Sequence, residues 1–351
     1  MGARLYHGHA SYDFVGKRKI WYSLSGVILL VVLGGLGLRG LNLGIEFKGG
    51  AEFQLQTSSA SVADARSAAA SAGQPDAIVT ILNGDRVRVQ TGAIDEAESQ
   101  KIAEALAKQF NASASEVKVQ LVGPTWGGDV TSKASQGLLV FLLLVIVFLS
   151  VYFEWKMAVA AIVALIHDLA ITVGVYALVG FEVTPATVIG LLTILGYSLY
   201  DTVVVFDKVK ENTRGIAGQS RRTYSGAANL ALNQTLVRSI NTSLVAILPV
   251  AAILAIGAGL LGAGTLKDLA LALFIGMIAG TYSSIFVATP VLAQLKEQEP
   301  AMRAVAKRVS QRGGESTEAA VGTPVSAVAS GPHVKATGPR VQPRRQPKRK
   351  R

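Results

Sequence analysis

Residues 186–206 read ATVIGLLTILGYSLYDTVVVF and hold one acidic residue, Asp201, in a run long enough to cross a membrane. A carboxylate at the centre of such a span costs about 2.5–3.5 kcal/mol on insertion scales, so it faces the protein interior, where it works or is paired. Tyr197 and Ser198 lie one helical turn earlier and form a polar stripe with Asp201. The stripe predicts a site that binds a proton or an ion. The alternative is a structural acid whose hydrogen bonds are supplied by neighbouring helices.

The composition predicts a polytopic α-helical membrane protein. Half of the 351 residues are hydrophobic and only 16% are charged. A basic lead precedes the first apolar stretch, but no clear cleavage site of small residues follows, so we expect a retained span rather than a signal peptide. Six stretches are long enough to cross a bilayer, near residues 20–38, 137–153, 157–181, 183–206, 242–263 and 269–295.

The distribution of basic residues predicts the orientation of these spans. Lys and Arg cluster before the first span and after the fourth, whereas the connections after the third and fifth hold almost none. Because cytoplasmic loops are rich in Lys and Arg, we expect both termini in the cytoplasm. The predicted division is a cytoplasmic N-terminus (1–19), a first span (20–38), an extracytoplasmic domain (39–133), spans two to six (134–295) and a basic disordered cytoplasmic tail (296–351).

The region between the first two spans reads as a small α+β domain. Alternating apolar residues and helix signals predict the order β-α-β-β-α-β, the split-βαβ or ferredoxin-like arrangement. Residues 83–85 (NGD) predict a tight hairpin inside it. Residues 123–128 (GPTWGG) are expected to break regular structure before the second span. The chain has no cysteine, so a disulfide or a thiolate metal site is excluded, and we expect no cofactor.

Two further polar groups fall within or beside the apolar stretches. His167 and Asp168 lie near the middle of the third stretch, where a His beside an Asp suits a proton relay or a hydrogen-bonded packing pair. Arg238 lies at the entrance to the fifth stretch, and we expect it to approach Asp201 at the cytoplasmic end. The alternative for Arg238 is a side chain that extends to the membrane surface. Asn241 and Thr242 share its polar face.

Five separated motifs resemble the SecF family of bacterial protein-export subunits. They are residues 44–50 (GIEFKGG), residues 122–127 (VGPTWG), the pair His167-Asp168, residues 196–212 (GYSLYDTVVVFDKVKEN) and residues 234–243 (QTLVRSINTS). The resemblance covers roughly residues 12–300 and not the tail. Its first motif contributes Gly44, Glu46, Phe47, Lys48, Gly49 and Gly50 as family positions.

The resemblance implies a function in protein export. The family has six spans and pairs with SecD in a unit similar to proton-driven transporters of the resistance–nodulation–division type. It associates with the SecYEG channel in the inner (plasma) membrane, with YajC and YidC as further partners. It uses the proton-motive force to assist the release of exported preproteins. The matching residues for proton coupling are Asp201 and Arg238, with His167 and Asp168 beside them, and the supporting polar residues are Tyr197, Ser198, Asn241 and Thr242.

This sequence departs from the family pattern at several positions. It has Glu46 where the family usually has Asp, Tyr200 where Asn is usual, and Lys208 and Lys210 where Arg is usual. Tyr200 puts a larger ring beside Asp201, which leaves the hydrogen-bond partner of Asp201 open.

Two alternative functions remain open from the sequence. One is a proton-driven exporter of a lipid or small molecule, and the other is a structural stabiliser of the export channel. In every case we expect no enzymatic activity, because no bond-making constellation is present. The tail from residue 296 carries 13 Lys and Arg against 4 Asp and Glu, and it suits anionic lipid, ribosomal RNA or simple retention in the cytoplasm.

Overall fold

The computed structural model describes residues 11–82, 84–258 and 264–311. The first elements among the described residues are helix α1 (Arg18–Arg39), strand β1 (Asn42–Leu43) and the short helix α2 (Ile45–Lys48). The small domain then comprises β2 (Gly50–Gln56), α3 (Val62–Ser71), β3 (Ile78–Leu82), β4 (Arg86–Thr91), α4 (Glu96–Gln109) and β5 (Lys118–Val122). The rest comprises α5 (Pro124–Tyr152), α6 (Trp155–Val179), β6 (Glu182–Val183), α7 (Pro185–Asn212), α8 (Tyr224–Ile253), α9 (Gly264–Ser283), α10 (Thr289–Glu297) and α11 (Pro300–Gln311).

The prediction of six membrane spans is confirmed for the part of the chain that the structure describes. Six helical segments are long and apolar enough to cross a bilayer. The first four contain α1, α5, α6 and α7, and the fifth contains α8 with the turn after it. The sixth runs through α9, one wide π-helical turn and α10.

The small domain has the predicted element order. Its sheet is antiparallel throughout, in the order β3-β4-β2-β5. Phe53 and Leu55 of β2 face Ile102 and Leu106 of α4, and all four side chains are fully buried. Each such side chain contributes about 1.5–3 kcal/mol of hydrophobic stabilisation. Asp95 caps α4, because its carboxylate accepts the backbone N–H of Glu98 while Glu98 reaches back. The predicted hairpin joins β3 and β4, and Asn83 lies outside the described residues.

The membrane helices pack through small residues. Gly276 and Gly280 of α9, spaced one turn apart, lie against Ile194 and Ser198 of α7, and their lack of a side chain lets the two helices approach closely. A Cβ atom at Gly276 would stand 2.2 Å from the Ile194 side chain, closer than any real contact. α1 packs on α6 in the same way at Gly174, where an added Cβ would meet Val32.

The prediction that residues 123–128 break regular structure is wrong. α5 begins at Pro124, and the proline suits the first helical position because the N–H that it lacks would be unpaired there. Gly127 then lies on the helix face that packs against α2, where an added Cβ would stand 2.8 Å from the carbonyl of Phe47. The second helix therefore starts inside the stretch assigned to the domain.

Two predicted boundaries near the other end of the bundle also need correction. The helix that contains the fifth span begins at Tyr224, well before residue 242, because its first turns are amphipathic and bury a stripe that includes Ala228 and Leu232. The tail predicted to be disordered from residue 296 is helical as far as Gln311, where Val305 and Val309 are spaced one turn apart and both buried. Residues 312–351 lie outside the described residues.

Candidate functional site

Asp201 lies in the interior of the bundle, near the middle of α7, and only 5% of its surface is exposed. Its Oδ1 accepts a hydrogen bond of 2.7 Å from Oγ of Ser239 on α8. Its Oδ2 accepts a hydrogen bond from Oγ of Ser284, directly after α9. The carboxyl group therefore joins three membrane-spanning segments through two serine hydroxyls.

The segment that presents Ser284 is irregular. Ser284–Ala288 form a π-helical turn, which widens the helix by one residue and often accompanies functional sites. Pro290 follows within the first turn of α10 and has no N–H to donate to the preceding turn. Oγ of Ser284 also lies 3.2 Å from the carbonyl oxygen of Thr281. Because a serine hydroxyl has one proton and accepts as well, Ser284 has two acceptors to choose between.

A second carboxyl group lies against the same helix. Asp168 of α6 is 1% exposed, and its Oδ2 accepts a hydrogen bond from Oγ of Ser198, one turn before Asp201 on α7. Nδ1 of His167 lies 3.5 Å from Oδ1 of Asp168, which is a weak contact. Nε2 of His167 is buried and has no partner among the described residues. The structure thus brings His167, Asp168 and Ser198 together beside the Asp201 site.

Further polar side chains continue from this second group. The ring of His167 lies 5.9 Å from the ring of Tyr282, whose hydroxyl is 2.9 Å from Oγ of Ser25 on α1. On the other side, the hydroxyl of Tyr197 is 3.4 Å from Oγ of Ser243. The bundle interior therefore carries a band of hydroxyl, imidazole and carboxyl groups from α1 to α9.

Arg238 does not contact Asp201 in this structure, contrary to the predicted pair. Arg238 is exposed, and its Nη2 lies 3.3 Å from the hydroxyl of Tyr200. Ser239 takes the inward position instead, because adjacent helical residues point about 100° apart. Two pairs therefore join α7 and α8 at one level, Asp201 with Ser239 inside and Tyr200 with Arg238 outside.

The remaining predicted polar residues of α8 stay on its outer side. Asn241 is exposed, and the hydroxyl of Thr242 lies within hydrogen-bond distance of the backbone carbonyl oxygens of Arg238 and Ser239. Neither side chain faces Asp201, so neither supports this carboxyl group by direct contact as predicted.

The family motif at residues 44–50 forms the junction between the membrane helices and the small domain. Gly49 and Gly50 both have positive φ, and a Cβ at Gly50 would stand 2.4 Å from the carbonyl oxygen of Thr91. Phe47 is half-buried against α5, whereas Lys48 is exposed. Gly44 donates its N–H to the carbonyl oxygen of Val183 at 2.9 Å, which ties this junction to the connection between α6 and α7.

An acidic and basic cluster holds the domain to that connection. Arg88 of β4 forms an ion pair of 2.8 Å with Glu182 and lies 3.7 Å from Glu52. Nε2 of Gln90 donates to both Glu52 and Glu182. Glu52, Arg88 and Glu182 line one side of a cleft of about 520 Å³ between the open face of the sheet and the ends of the membrane helices.

Glu46 belongs to the same cluster, and its Oε2 is buried without a partner among the described residues. Burial raises the pKa of Glu46, and the nearby charges of Glu182 and Glu52 raise it further against the opposing hydrogen bond to its own backbone and the charge of Arg88. A carboxyl whose pKa is raised in the folded state stabilises the fold at low pH, and this contribution is lost as the pH rises through that raised value.

Glu46→Gln should therefore increase stability at neutral pH and flatten the dependence of stability on pH. The measurement is the thermal unfolding midpoint of the purified chain from about pH 4 to pH 8. Glu104→Gln, which removes an exposed acid of α4, is the control and should leave the pH dependence unchanged. A lower midpoint of the Glu46→Gln protein at pH 7 would contradict the assignment.

Sequence reasoning identified Ser198, the partner of Asp168, but missed both direct partners of Asp201. Ser239 and Ser284 were overlooked because serine is common in membrane helices and carries no charge. A signal was present in the spacing, since Ser239 and Ser243 lie one turn apart, as do Thr281 and Ser284. Within the described residues there is no group of three or more His, Asp or Glu suited to a metal ion.

Comparison with protein families gives two matches. Residues 102–298 match the family described as "Protein export membrane protein SecD/SecF, C-terminal". Residues 34–61 match the "SecD/SecF GG Motif", which contains the junction described above. The first match alone covers more than half of the chain.

Comparison with individual proteins agrees with these family matches. The chain is 55% identical over 327 residues to the protein translocase subunit SecF of Streptomyces coelicolor, which covers 91% of this chain and 88% of that protein. It is 45% identical over 321 residues to the protein translocase subunit SecF of Mycobacterium tuberculosis, which covers 88% of this chain and 73% of that protein.

Solved structures show the same relationship. The crystal structure of SecDF, a translocon-associated membrane protein from Thermus thermophilus, superposes with a TM-score of 0.74 at 30% identity and covers 83% of this chain. A super-membrane-facing form of SecDF gives a TM-score of 0.60 at 29% identity and covers 86% of this chain. The match spans 39% of the first of these longer chains and 40% of the second.

Proposed function

Because the chain belongs to the SecF group of the SecD/SecF family of protein-export membrane proteins, we propose that it pairs with SecD and uses the proton-motive force to assist the late translocation and release of preproteins. It is an accessory subunit of Sec protein export, as its motifs predicted. The alternative of a lipid or small-molecule exporter is not favoured, because the relatives that cover most of the chain are translocase subunits.

The observation that carries the proton role is the buried carboxyl of Asp201 between Ser239 and Ser284. An ionised carboxylate only accepts hydrogen bonds, and two donated hydroxyls satisfy it. A protonated carboxyl must donate one. Ser284 allows this change, because its own proton can turn to the carbonyl oxygen of Thr281, 3.2 Å away, and leave its oxygen able to accept. Uptake of a proton thus changes the bond between α7 and the π-helical turn without leaving a buried polar group unpaired.

The second group supports a longer proton path. Asp168 of α6 binds Ser198, which lies on α7 one turn before Asp201. The buried Nε2 of His167, which has no partner among the described residues, suits temporary proton binding. We therefore assign His167 and Asp168 to a second proton-binding site beside Asp201.

The junction with the small domain supports coupling between protonation and motion. Arg88 of the domain binds Glu182, which lies just before α7, the helix that carries Asp201. A shift of α7 against α9 would therefore be transmitted through β6 to the domain. In this proposal the domain moves as a rigid body on the outer side of the membrane, as in transporters that work around a fixed site.

The position of Arg238 indicates which face of the bundle binds SecD. A guanidinium exposed halfway along a membrane helix is costly in lipid. Tyr200 is also exposed beside it, and both lie on the α7–α8 face. We assign this face to SecD, where Arg238 gains further polar contacts. Its predicted part in proton coupling then acts across the interface rather than through Asp201 directly.

The wider setting is part of the proposal. We place the protein in the inner (plasma) membrane with both termini in the cytoplasm, supported by the basic connections and the multi-pass fold. SecYEG, YajC and YidC are the proposed further partners. The basic tail beyond residue 311 is assigned to anionic lipid or the ribosome on the cytoplasmic side.

Export assistance should depend on a proton gradient that is acidic outside. The test uses membrane vesicles that contain the intact complex, with ATP held constant and the gradient either present or collapsed by an ionophore. We expect late-stage export to slow markedly when the gradient collapses, because Asp201 then has no net proton flow to exchange with. Equal late-stage export in both conditions would leave only the structural-stabiliser function.

A further inference from the structure

A pocket of about 350 Å³ lies at the end of the bundle far from the small domain. Its walls come from the α5–α6 connection, the end of α7 with the loop after it, the start of α8, and the segment from α10 to α11. The apolar part of the lining includes Met157, Ile216 and Met302. None of these residues belongs to the proton site or to the junction with the domain.

The charged part of the lining is basic. Lys210 and Arg214 line the pocket and form no ion pair with any other described residue. Lys296 also lines it but binds Glu154, the one acidic residue in the described lining, and Glu299. The described part of the pocket therefore presents two positive charges without an acidic partner.

Other acids near the pocket already have partners. Asp207 accepts a hydrogen bond of 3.2 Å from the hydroxyl of Tyr152. Glu211 forms an ion pair of 2.9 Å with Lys208. Neither acid lines the pocket, and neither forms an ion pair with Lys210 or Arg214.

Tyr224 gives a second, independent sign of a ligand. Its side chain lines the pocket and is only 3% exposed, yet its hydroxyl has no hydrogen-bond partner among the described residues. A buried hydroxyl without a partner is unfavourable, and a ligand oxygen would satisfy it. Tyr224 is also the first residue of α8, a 30-residue helix whose N-terminal end favours a bound anion.

We propose that this pocket binds the phosphate group of an anionic phospholipid. Lys210 and Arg214 supply the positive charge, the hydroxyl of Tyr224 donates to a phosphate oxygen, and the apolar lining contacts the glycerol and upper acyl chain. The position fits the membrane surface, because Tyr152 and Trp155 are exposed beside it and aromatic residues concentrate at that level. Basic pockets between membrane helices at this depth are suited to anionic head groups.

The test measures lipid binding to the purified full-length chain in neutral detergent. Short-chain phosphatidylglycerol should raise the thermal unfolding midpoint in a saturable way, because a ligand of the folded state stabilises it. Phosphatidylcholine of the same chain length should not. Lys210→Gln with Arg214→Gln should weaken the apparent affinity for phosphatidylglycerol by about 30-fold.

Tyr224→Phe separates the ligand contact from general attraction between charges. It should weaken phosphatidylglycerol binding about tenfold, because a hydrogen bond to a charged group is lost. It should leave the midpoint without lipid unchanged or higher, because it removes a buried hydroxyl that has no partner among the described residues. Unchanged phosphatidylglycerol affinity in this variant would overturn the proposal.

The matched control is Arg221→Gln with Arg222→Gln, which removes two charges from the same connection outside the pocket lining. This control should bind phosphatidylglycerol as the unaltered chain does, and an equal loss of affinity would reduce the effect to unspecific attraction. Inorganic phosphate is the third probe. If it binds as tightly as phosphatidylglycerol, the ligand is free phosphate and the lipid assignment is overturned.

Discussion

Asp201→Asn should leave the protein inserted and assembled with SecD but remove the dependence of export on the proton gradient. Asn keeps the size of the side chain and accepts one of the two serine hydroxyls, so the packing of α7 is preserved. It cannot bind and release a proton near neutral pH. We expect the gradient-dependent part of late export to be lost entirely in vesicles at constant ATP.

Asp207→Asn is the matched control for this variant. Asp207 lies on the same helix but is exposed at its end, so its substitution should keep the gradient effect. Normal gradient-dependent export by the Asp201→Asn protein would refute the proton role of this carboxyl.

Arg238→Ala tests the assignment of the α7–α8 face to SecD in the same assay. In the double variant Arg238→Ala with Asp201→Asn, the losses of SecD binding caused by the two single substitutions should add, because Arg238 contacts Tyr200 and not Asp201.

Gly280→Val should disrupt the bundle at its centre. A Cβ at this position would stand 2.9 Å from the Cβ of Ser198, so any side chain pushes α9 away from α7. Overpacking of this kind costs about 1–3 kcal/mol or more. The same displacement would pull Ser284, directly after α9, from Asp201 on α7. We expect a clearly lower unfolding midpoint of the purified chain in detergent.

Gly196→Val is the control, because Gly196 lies on α7 itself and an added Cβ there meets nothing within 4 Å. It should leave the midpoint of the isolated chain nearly unchanged. If both variants lose stability equally, the cost comes from the loss of glycine in a helix and not from the contact between α7 and α9.

The sequence by itself determined the architecture of this protein. Long apolar stretches specify spans because an unpaired backbone group is too costly in lipid, so each stretch must form a helix. Alternation in the region between the first two spans specifies strands, and Asp95 and Ser61 specify where helices begin. Asp201 was identifiable for the same reason, since a lone acid in an apolar run must be buried or paired.

The ends of the helices were harder to predict from the sequence, because hydropathy indicates which residues suit lipid and not where a helix begins or ends. The first turns of α8 are too polar to read as a span, yet their apolar stripe packs inside the protein. Pro124 looked like a break but starts a helix, and Val305 and Val309 fold a segment that looked disordered. Pro124 suits the first position of its helix, whereas the starts of α8 and α11 depend on apolar residues buried against the rest of the protein.

Only the tertiary structure decided which groups meet Asp201. A guanidinium and a carboxylate at similar depth are the expected pair, but the rotation of α8 turns Ser239 inward and Arg238 outward. The buried face of α8 includes Ala228, Leu232 and Ser239, so Ser239 points inward, and a turn of about 100° exchanges one partner for the next. The π-helical turn that brings Ser284 to Asp201, and the buried hydroxyl of Tyr224 beside two basic side chains, likewise arise from how separate helices pack together.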